Sequence, residues 1–187
     1  MSEVLDSAVT RFLYSLQNER QLSNHTRDNY GRDLTHFLAY CEKQGLASPV
    51  ELDSQHIRSF AADCHRKGLA PRSIQRRLSA VRSLFGYLIR EGELKQNPAS
   101  DVRAPKSKKR LPATLDTDTM ARLLEFRSDD RLGVRDKAIM ELFYSSGLRL
   151  AELLGLDVGD LDLRDRTVRV MGKGRKARIV PVGRYAI

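Results

Sequence analysis

Ser145-Ser146-Gly147-Leu148-Arg149-Leu150-Ala151-Glu152-Leu153 gathers a turn, a cation and a carboxylate between two apolar segments. Gly147 can end the preceding apolar helix and Arg149 opens a short leucine-rich one, so its guanidinium is expected at a helix junction beside a packed core. Arginine carries five donors in a planar fork and a permanent charge, which suits a pair of phosphate oxygens. Glu152 follows three residues later on the same helical face, where it can orient that guanidinium. An ion pair beside a core, of little energetic worth, satisfies the same stretch.

The chain changes period on either side. Upstream, Asp116 or Thr117 caps a helix running to about Phe126, with Met120, Leu123 and Leu124 inward. A second helix spans about Gly133 to Ser146, with Val134, Ala138, Ile139, Leu142 and Phe143 inward. Downstream, Thr167-Val168-Arg169-Val170-Met171 and Ala177-Arg178-Ile179-Val180-Pro181-Val182 are β-branched and partly alternating, which argues two strands. Gly172-Lys173-Gly174-Arg175-Lys176 joins them as a hairpin turn, placing Lys173 at its tip or rim.

The first hundred residues are helical throughout. Ala8 to Leu22 repeats apolar residues at Ala8, Phe12, Leu13 and Leu16, with Ser23-Asn24 as a cap for the next segment. That segment, about Thr26 to Lys43, sets Tyr30, Leu34, Phe37, Leu38 and Cys41 on one face and Arg27, Asp28, Arg32 and Asp33 on the other. Asp53 caps a third helix with Ile57, Phe60, Ala61 and Cys64 inward, ending near Lys67-Gly68. Pro71 opens a fourth, whose stripe is Ile74, Leu78, Val81, Leu84, Phe85 and Leu88, and Gly92 closes it. Each helix has a single apolar face, so an antiparallel bundle is the economical arrangement. Off the stripe stand Arg72, Arg76, Arg77 and Arg82. Arg72 and Arg76, one turn apart with Ser73 and Ser79 nearby, can bond phosphates and base edges from within a groove; a solvated helix face accounts for them equally well.

Between Asn97 and Thr114 the periodicity lapses, and Pro98, Pro105 and Pro112 punctuate Lys106-Ser107-Lys108-Lys109-Arg110. An extended basic linker is expected, able to cross a DNA backbone, with nuclear localisation as the competing reading. The organisation is therefore a helical domain over residues 1–104, a linker over 105–112 and a mixed domain over 113–187. Of the net +9, four positive charges fall in the linker, and Arg166 to Ile187 holds only basic charges. Such clustering is the footprint of a polyanion partner such as DNA, or of a solvated basic surface.

Other classes are excluded or disfavoured. A hydrophobic fraction of 41% and a charged fraction of 30% describe a globular chain. No run of apolar residues is long enough to span a membrane and the N-terminus lacks a signal-like stretch, so a cytoplasmic protein without a membrane anchor is expected. Cys41 and Cys64 lie within helical patterns and read as buried free thiols. Gly172-Lys173 is no phosphate-cradling P-loop: Thr167 takes the place of the first glycine and Gly174 that of the magnesium-binding hydroxyl. Gly172-x-Gly174-x-x-Ala177 joins strand to strand, whereas a dinucleotide fingerprint must open a helix.

Read together, several stretches resemble the tyrosine site-specific recombinases, the phage integrase family, and within it the bacterial enzymes that resolve chromosome dimers. They are Glu19-Arg20-Gln21-Leu22-Ser23, Leu78-Ser79-Ala80-Val81-Arg82-Ser83-Leu84-Phe85, Asn97-Pro98-Ala99, Ala104-Pro105-Lys106, Gly147-Leu148-Arg149-Leu150-Ala151-Glu152-Leu153 and Val170-Met171-Gly172-Lys173-Gly174. Each is weak alone; their order and spacing are specific. The resemblance implies a mainly α fold with a small antiparallel hairpin or sheet. Its first part would be an N-terminal four-helix, SAM-like core-DNA-binding domain, followed by the N-terminal part of a mixed α/β catalytic domain.

The resemblance further implies DNA cleavage without metal or nucleotide cofactor, by a tyrosine that forms a 3′-phosphotyrosyl bond and releases a 5′-hydroxyl. Arg149 would clamp the phosphate, Lys173 would protonate the leaving hydroxyl and Glu152 would support them. Arg72, Arg76, Arg77, Lys106, Lys108, Lys109, Arg175 and Lys176 would contact a double-stranded recombination site. The partner would be a second, related recombinase in a heterotetramer. In the family the second arginine, the histidines and the nucleophile follow the second strand, whereas His25, His36, His56 and His65 all stand in the first half here. Tyr185 lies in no matching context. The chain as written is thus expected to be C-terminally truncated and inactive alone. A non-catalytic DNA-binding protein and a phage or transposon integrase are the alternatives.

Overall fold

The computed structural model describes residues 3–18, 24–106, 111, 113–126, 130–172 and 176–187. The chain divides into two compact units, Met1–Arg110 and Leu111–Ile187.

The first unit is built from α1 (Glu3–Asn18), α2 (Asn24–Lys43), α3 (Ser54–Arg66) and α4 (Pro71–Arg90). Asp53 starts α3 by accepting the His56 backbone N–H at 2.9 Å, and Pro71 occupies the first turn of α4, where its missing donor costs nothing. Helix α4 touches α1, α2 and α3, so its stripe is the centre of the core. Ile74, Leu78, Val81, Leu84, Phe85 and Leu88 are all buried there, together with Phe12, Phe37 and Phe60. The Phe37 ring meets Phe60 edge-on at 5.2 Å and Phe85 at 6.3 Å. Each such buried side chain stabilises the fold by about 1.5–3 kcal/mol.

Four details of this unit differ from expectation. Helix α1 starts at Glu3, adding Leu5 to the core; Asn24 is already helical, and the proposed cap Ser23 lies outside the described residues. Asp33, expected on the polar face of α2, is buried. It lies one turn from Tyr30 and Phe37, and the interface with α4 is wide enough to enclose it. The non-periodic stretch from Asn97 is not free at its start, because Ala99 and Val102 are buried in the helical core. Arg82, half-buried, holds it there by donating to the carbonyl oxygens of Ala99 and Val102. Cys41 and Cys64 are buried free thiols, and burial pushes the Cys41 thiol up to about 12.

The second unit contains α5 (Thr117–Leu124), α6 (Arg131–Ser146), α7 (Leu150–Leu154), β1 (Leu161–Asp162), β2 (Thr167–Met171) and β3 (Ala177–Pro181). Asp116 caps α5 and Asp130 caps α6. The strands form an antiparallel sheet in the order β1-β2-β3, with Thr167 opposite Pro181 and Met171 opposite Ala177. Strand β1, too short to carry a periodic signal, pairs Leu161 with Val168. Val168 and Val170 alternate inward and form a small core with Leu148 and Val182.

The inward face expected for α6 is realised only at its C-terminal end. Leu142 and Phe143 pack on that core, but Val134 is 60% exposed and Ala138 is exposed too. Leu123 of α5 is likewise exposed, while Leu124 is buried. The sheet meets α6 at its end, where Ser146 Oγ donates to the Pro181 carbonyl at 2.8 Å. Among the described residues no helix is long and apolar enough to cross a membrane.

Candidate functional site

Helix α6 stops where a left-handed residue is needed: Gly147 has φ 58°, a conformation that costs other residues a Cβ clash. The buried Leu148 then anchors the turn in the small core. Arg149 follows in extended backbone as the residue preceding α7, with its side chain 68% exposed. Its position at the junction is set from both sides, by a glycine that ends one helix and a leucine that plugs the core.

Glu152 turns back onto this junction. Its Oε2 accepts the backbone N–H of Arg149 at 2.8 Å, the reciprocal half of a helix capping box, and its Oε1 accepts Arg149 Nη1 at 2.8 Å. From β3, Arg178 donates to the same carboxylate in bidentate fashion, at 2.6 Å to Oε1 and 3.0 Å to Oε2. The Glu152 side chain is only 4% exposed. The Arg178 bonds, with the Arg149 backbone N–H next, hold its carboxyl down to about 2. Glu152 is therefore a fixed anion and not a proton donor near neutral pH. Two guanidinium groups share one carboxylate, which leaves an excess positive charge, and Arg149 carries it into solvent with donors to spare.

Gly172 completes the geometry. A Cβ placed on it would lie 3.1 Å from Arg178 Nη1 and 3.7 Å from Glu152 Oε1, so the first residue of the β2–β3 connection lies directly against the ion pair. The Gly172 N–H donates to the Lys176 carbonyl at 2.8 Å, closing that connection. Lys173 and Arg175 lie outside the described residues; Lys173 is the next residue in the chain. A cavity of 280 Å³ beside the pair is lined by Glu152, Asp160, Arg169 and Met171 among others. Tyr185 lines a separate cavity with Lys137, Glu141 and Tyr144. Among the described residues, no group of three or more His, Cys, Asp or Glu side chains is placed to hold a metal ion.

The residues expected to contact a polyanion have different environments. Arg72, Lys106 and Lys176 are exposed, while Lys108 and Lys109 lie outside the described residues. Arg76 is 47% exposed and sits 3.1 Å from Asp33. Arg77 is turned inward, 13% exposed, with its Nη1 donating to Cys64 Sγ at 3.5 Å.

Two residues of evident structural consequence escape a reading by composition. Arg178 counts simply as one of several basic residues near the end of the sequence, yet it alternates with Val180 in β3 and with Val182 just after it. An arginine in register with core valines needs a carboxylate beneath it, and that is the signal available in the sequence. Asp33 is the other: its spacing from Tyr30 and Phe37 matches the apolar face of α2.

Residues 9–92 match the family described as "Phage integrase, N-terminal SAM-like domain", and residues 113–187 match the "Phage integrase family". The tyrosine recombinase XerC of Xanthomonas campestris pv. campestris strain B100 is 50% identical over 181 residues, covering 97% of this chain and 56% of that protein. XerC of Pseudomonas syringae pv. tomato strain DC3000 is 51% identical over 183 residues, covering 97% and 61%. The chain thus spans less than two thirds of the length of these relatives. Lambda integrase, solved as a dimer bound to a COC′ core site, has a TM-score of 0.71 at 22% identity over 95% of this chain and 62% of its own. Its tetramer bound to a Holliday junction gives 0.71 and 22% over 96% and 49%. The resemblance drawn from the motifs and the mainly helical fold with a small antiparallel sheet are both borne out.

Proposed function

This chain belongs to the phage integrase family, the tyrosine site-specific recombinases, and on that premise we propose that its residues hold a DNA duplex and clamp the scissile phosphate in a XerC-type recombinase. The observation that carries this reading is the Glu152 cluster. A nearly enclosed carboxylate, fixed by Arg178, presents the exposed guanidinium of Arg149 at a helix junction. Such a group is preorganised for charge that accumulates on phosphate oxygens, because its orientation is set before a substrate arrives.

In the reaction we propose, a tyrosine hydroxyl attacks phosphorus, loses its proton to a base assigned to no residue of this sequence, and forms a 3′-phosphotyrosyl bond while the bond to the 5′ oxygen breaks. Arg149 neutralises the negative charge on the non-bridging oxygens. Lys173 delivers a proton to the departing 5′ oxygen, which leaves as a hydroxyl and later attacks the phosphotyrosine of a partner strand. Glu152 and Arg178 do no chemistry and keep Arg149 in place. The attacking tyrosine is assigned to no residue of this sequence. Arg72, Arg76, Lys106, Lys108, Lys109, Arg175 and Lys176 supply phosphate contacts along the duplex. The biological setting we propose is resolution of chromosome dimers in the cytoplasm, with a XerD-like second recombinase in a heterotetramer.

The test uses the purified chain and a nicked duplex that traps covalent intermediates. Affinity for the duplex should fall linearly in log–log form as salt rises, with several counterions released, and no covalent adduct should form. Absence of salt-dependent binding overturns the reading as a duplex-holding chain. An adduct would show that an attacking residue is present and favour a complete cleavage site within these residues.

A further inference from the structure

Helix α4 presents Arg72, Gln75 and Arg76 outward on successive turns, and Pro71–Arg90 contains no acidic residue. The carboxylate that faces this basic helix comes from α2. Asp33 is 2% exposed at the side chain, with Oδ2 3.1 Å from Arg76 Nη1 and Oδ1 3.7 Å from Arg77 Nε. Burial pushes its carboxyl up, while Arg76, Arg77, His36 and Arg32 act in the opposite direction. The two arginines differ in what remains free. Arg77 is turned into the unit and bonded to Cys64 Sγ, whereas Arg76 keeps about half its side chain in solvent. One buried anion thus ion-pairs with a guanidinium that stays about half exposed, and the contact is electrostatic, because Asp33 Oδ2 accepts no hydrogen bond among the described residues.

We infer that Asp33 is a positioning residue for duplex binding: it holds the Arg76 guanidinium on the outer face of α4, where it meets a backbone phosphate. This rests on the reading of α4 as a duplex-facing helix. An arginine side chain loses rotamer freedom on binding, and a tether that removes this freedom in advance lowers that cost. A carboxylate near a phosphate otherwise opposes binding by repulsion. Arg76 and Arg77, lying beside the carboxylate, offset its charge, so the repulsion is small while the ion pair remains.

The experiment separates positioning from simple charge. Duplex affinity is measured by fluorescence anisotropy on a random-sequence duplex across a salt series, for the wild type, Asp33→Asn, Arg76→Ala and the double variant, with melting temperatures recorded for each. Arg76→Ala should weaken binding several-fold and make the salt slope shallower by about one. Asp33→Asn should do the same although it raises the net charge by one, and the double variant should be no weaker than Arg76→Ala. If Asp33→Asn binds as tightly as wild type or more tightly, or if the two effects add, Asp33 acts only as a charge or a packing group and the inference is overturned. Should Asp33→Asn fail to fold, Arg76→Lys decides: positioning through the fork predicts weakened binding with charge retained, and wild-type affinity overturns it. A wild type that binds no duplex removes the underlying reading, and the inference with it.

Discussion

Glu152 shows how one side chain can be chemically quiet and still govern a site. It receives donors from its own helix start and from a strand, and its ionisation is displaced from the ordinary 4.5 to about 2. A carboxyl that is more acidic folded than unfolded contributes stability that is fully present above its unfolded pKa and is lost as pH falls through the folded one. The expected window is therefore between about 4.5 and about 2. Melting temperatures of wild type and Glu152→Gln should differ most at neutral pH and converge as pH drops through that window. A gap that stays constant would show that the carboxylate charge contributes nothing. Arg178→Ala should raise the Glu152 pKa, read by NMR titration of the side-chain carboxyl, since the Arg178 bonds are the largest cause of its depression. An unchanged pKa would mean that Arg149 alone suffices. Legibility at this scale was uneven. Arg149 and Glu152 were readable because they sit three residues apart in one helix start, whereas Arg178 reaches Glu152 only through a strand pairing.

At the level of elements, the helix starts follow local chemistry and the helix faces follow their neighbours. Asp53, Pro71 and Asp116 start α3, α4 and α5 where side-chain oxygens or a fixed φ permit it. The inward stripe of α4 is realised in full because three helices surround it. The stripe of α6 is realised only near Leu142 and Phe143, because the three-stranded sheet covers that end alone. The junction between α6 and β3 depends on close approach: a Cβ on Gly183 would lie 2.6 Å from Ser145 Cβ. Gly183→Ala should cost about 1–3 kcal/mol, as overpacked sites do, measured by urea denaturation. A loss below about 0.5 kcal/mol, the range of neutral surface changes, would mean that the β3 end shifts without strain.

Across the whole molecule, the two units differ in how much they enclose. The first holds four phenylalanines and a continuous aliphatic core, and the second rests on Leu148, Val168, Val170 and Val182. Opening free energy rises with buried apolar contact, so native-state hydrogen exchange should find its slowest amides in α2 and α4. Amides of α6 and β3 should exchange faster and independently. Equal protection in both units would show that they open together. The domain division we propose, with a basic connection at residues 105–112, predicts this independence.

The sequence by itself determined the helical bundle, the hairpin, the positions of Arg149 and Glu152 and the family, because each is written in short-range spacing. Apolar period, caps, glycines at turns and ordered motifs are all properties of neighbours along the chain. Only the tertiary structure decided which charges are enclosed. Asp33 lies under α4, Arg77 turns inward to Cys64, and Arg178 clamps Glu152, each through a contact between distant segments. A local pattern can set a charge in line with apolar residues, as it does Asp33 and Arg178, but the cost of enclosing it depends on what closes over it, which only the fold decides. The Arg149 junction is therefore legible as a place, while its rigidity, set by a carboxylate held from two elements, is a property of the folded chain.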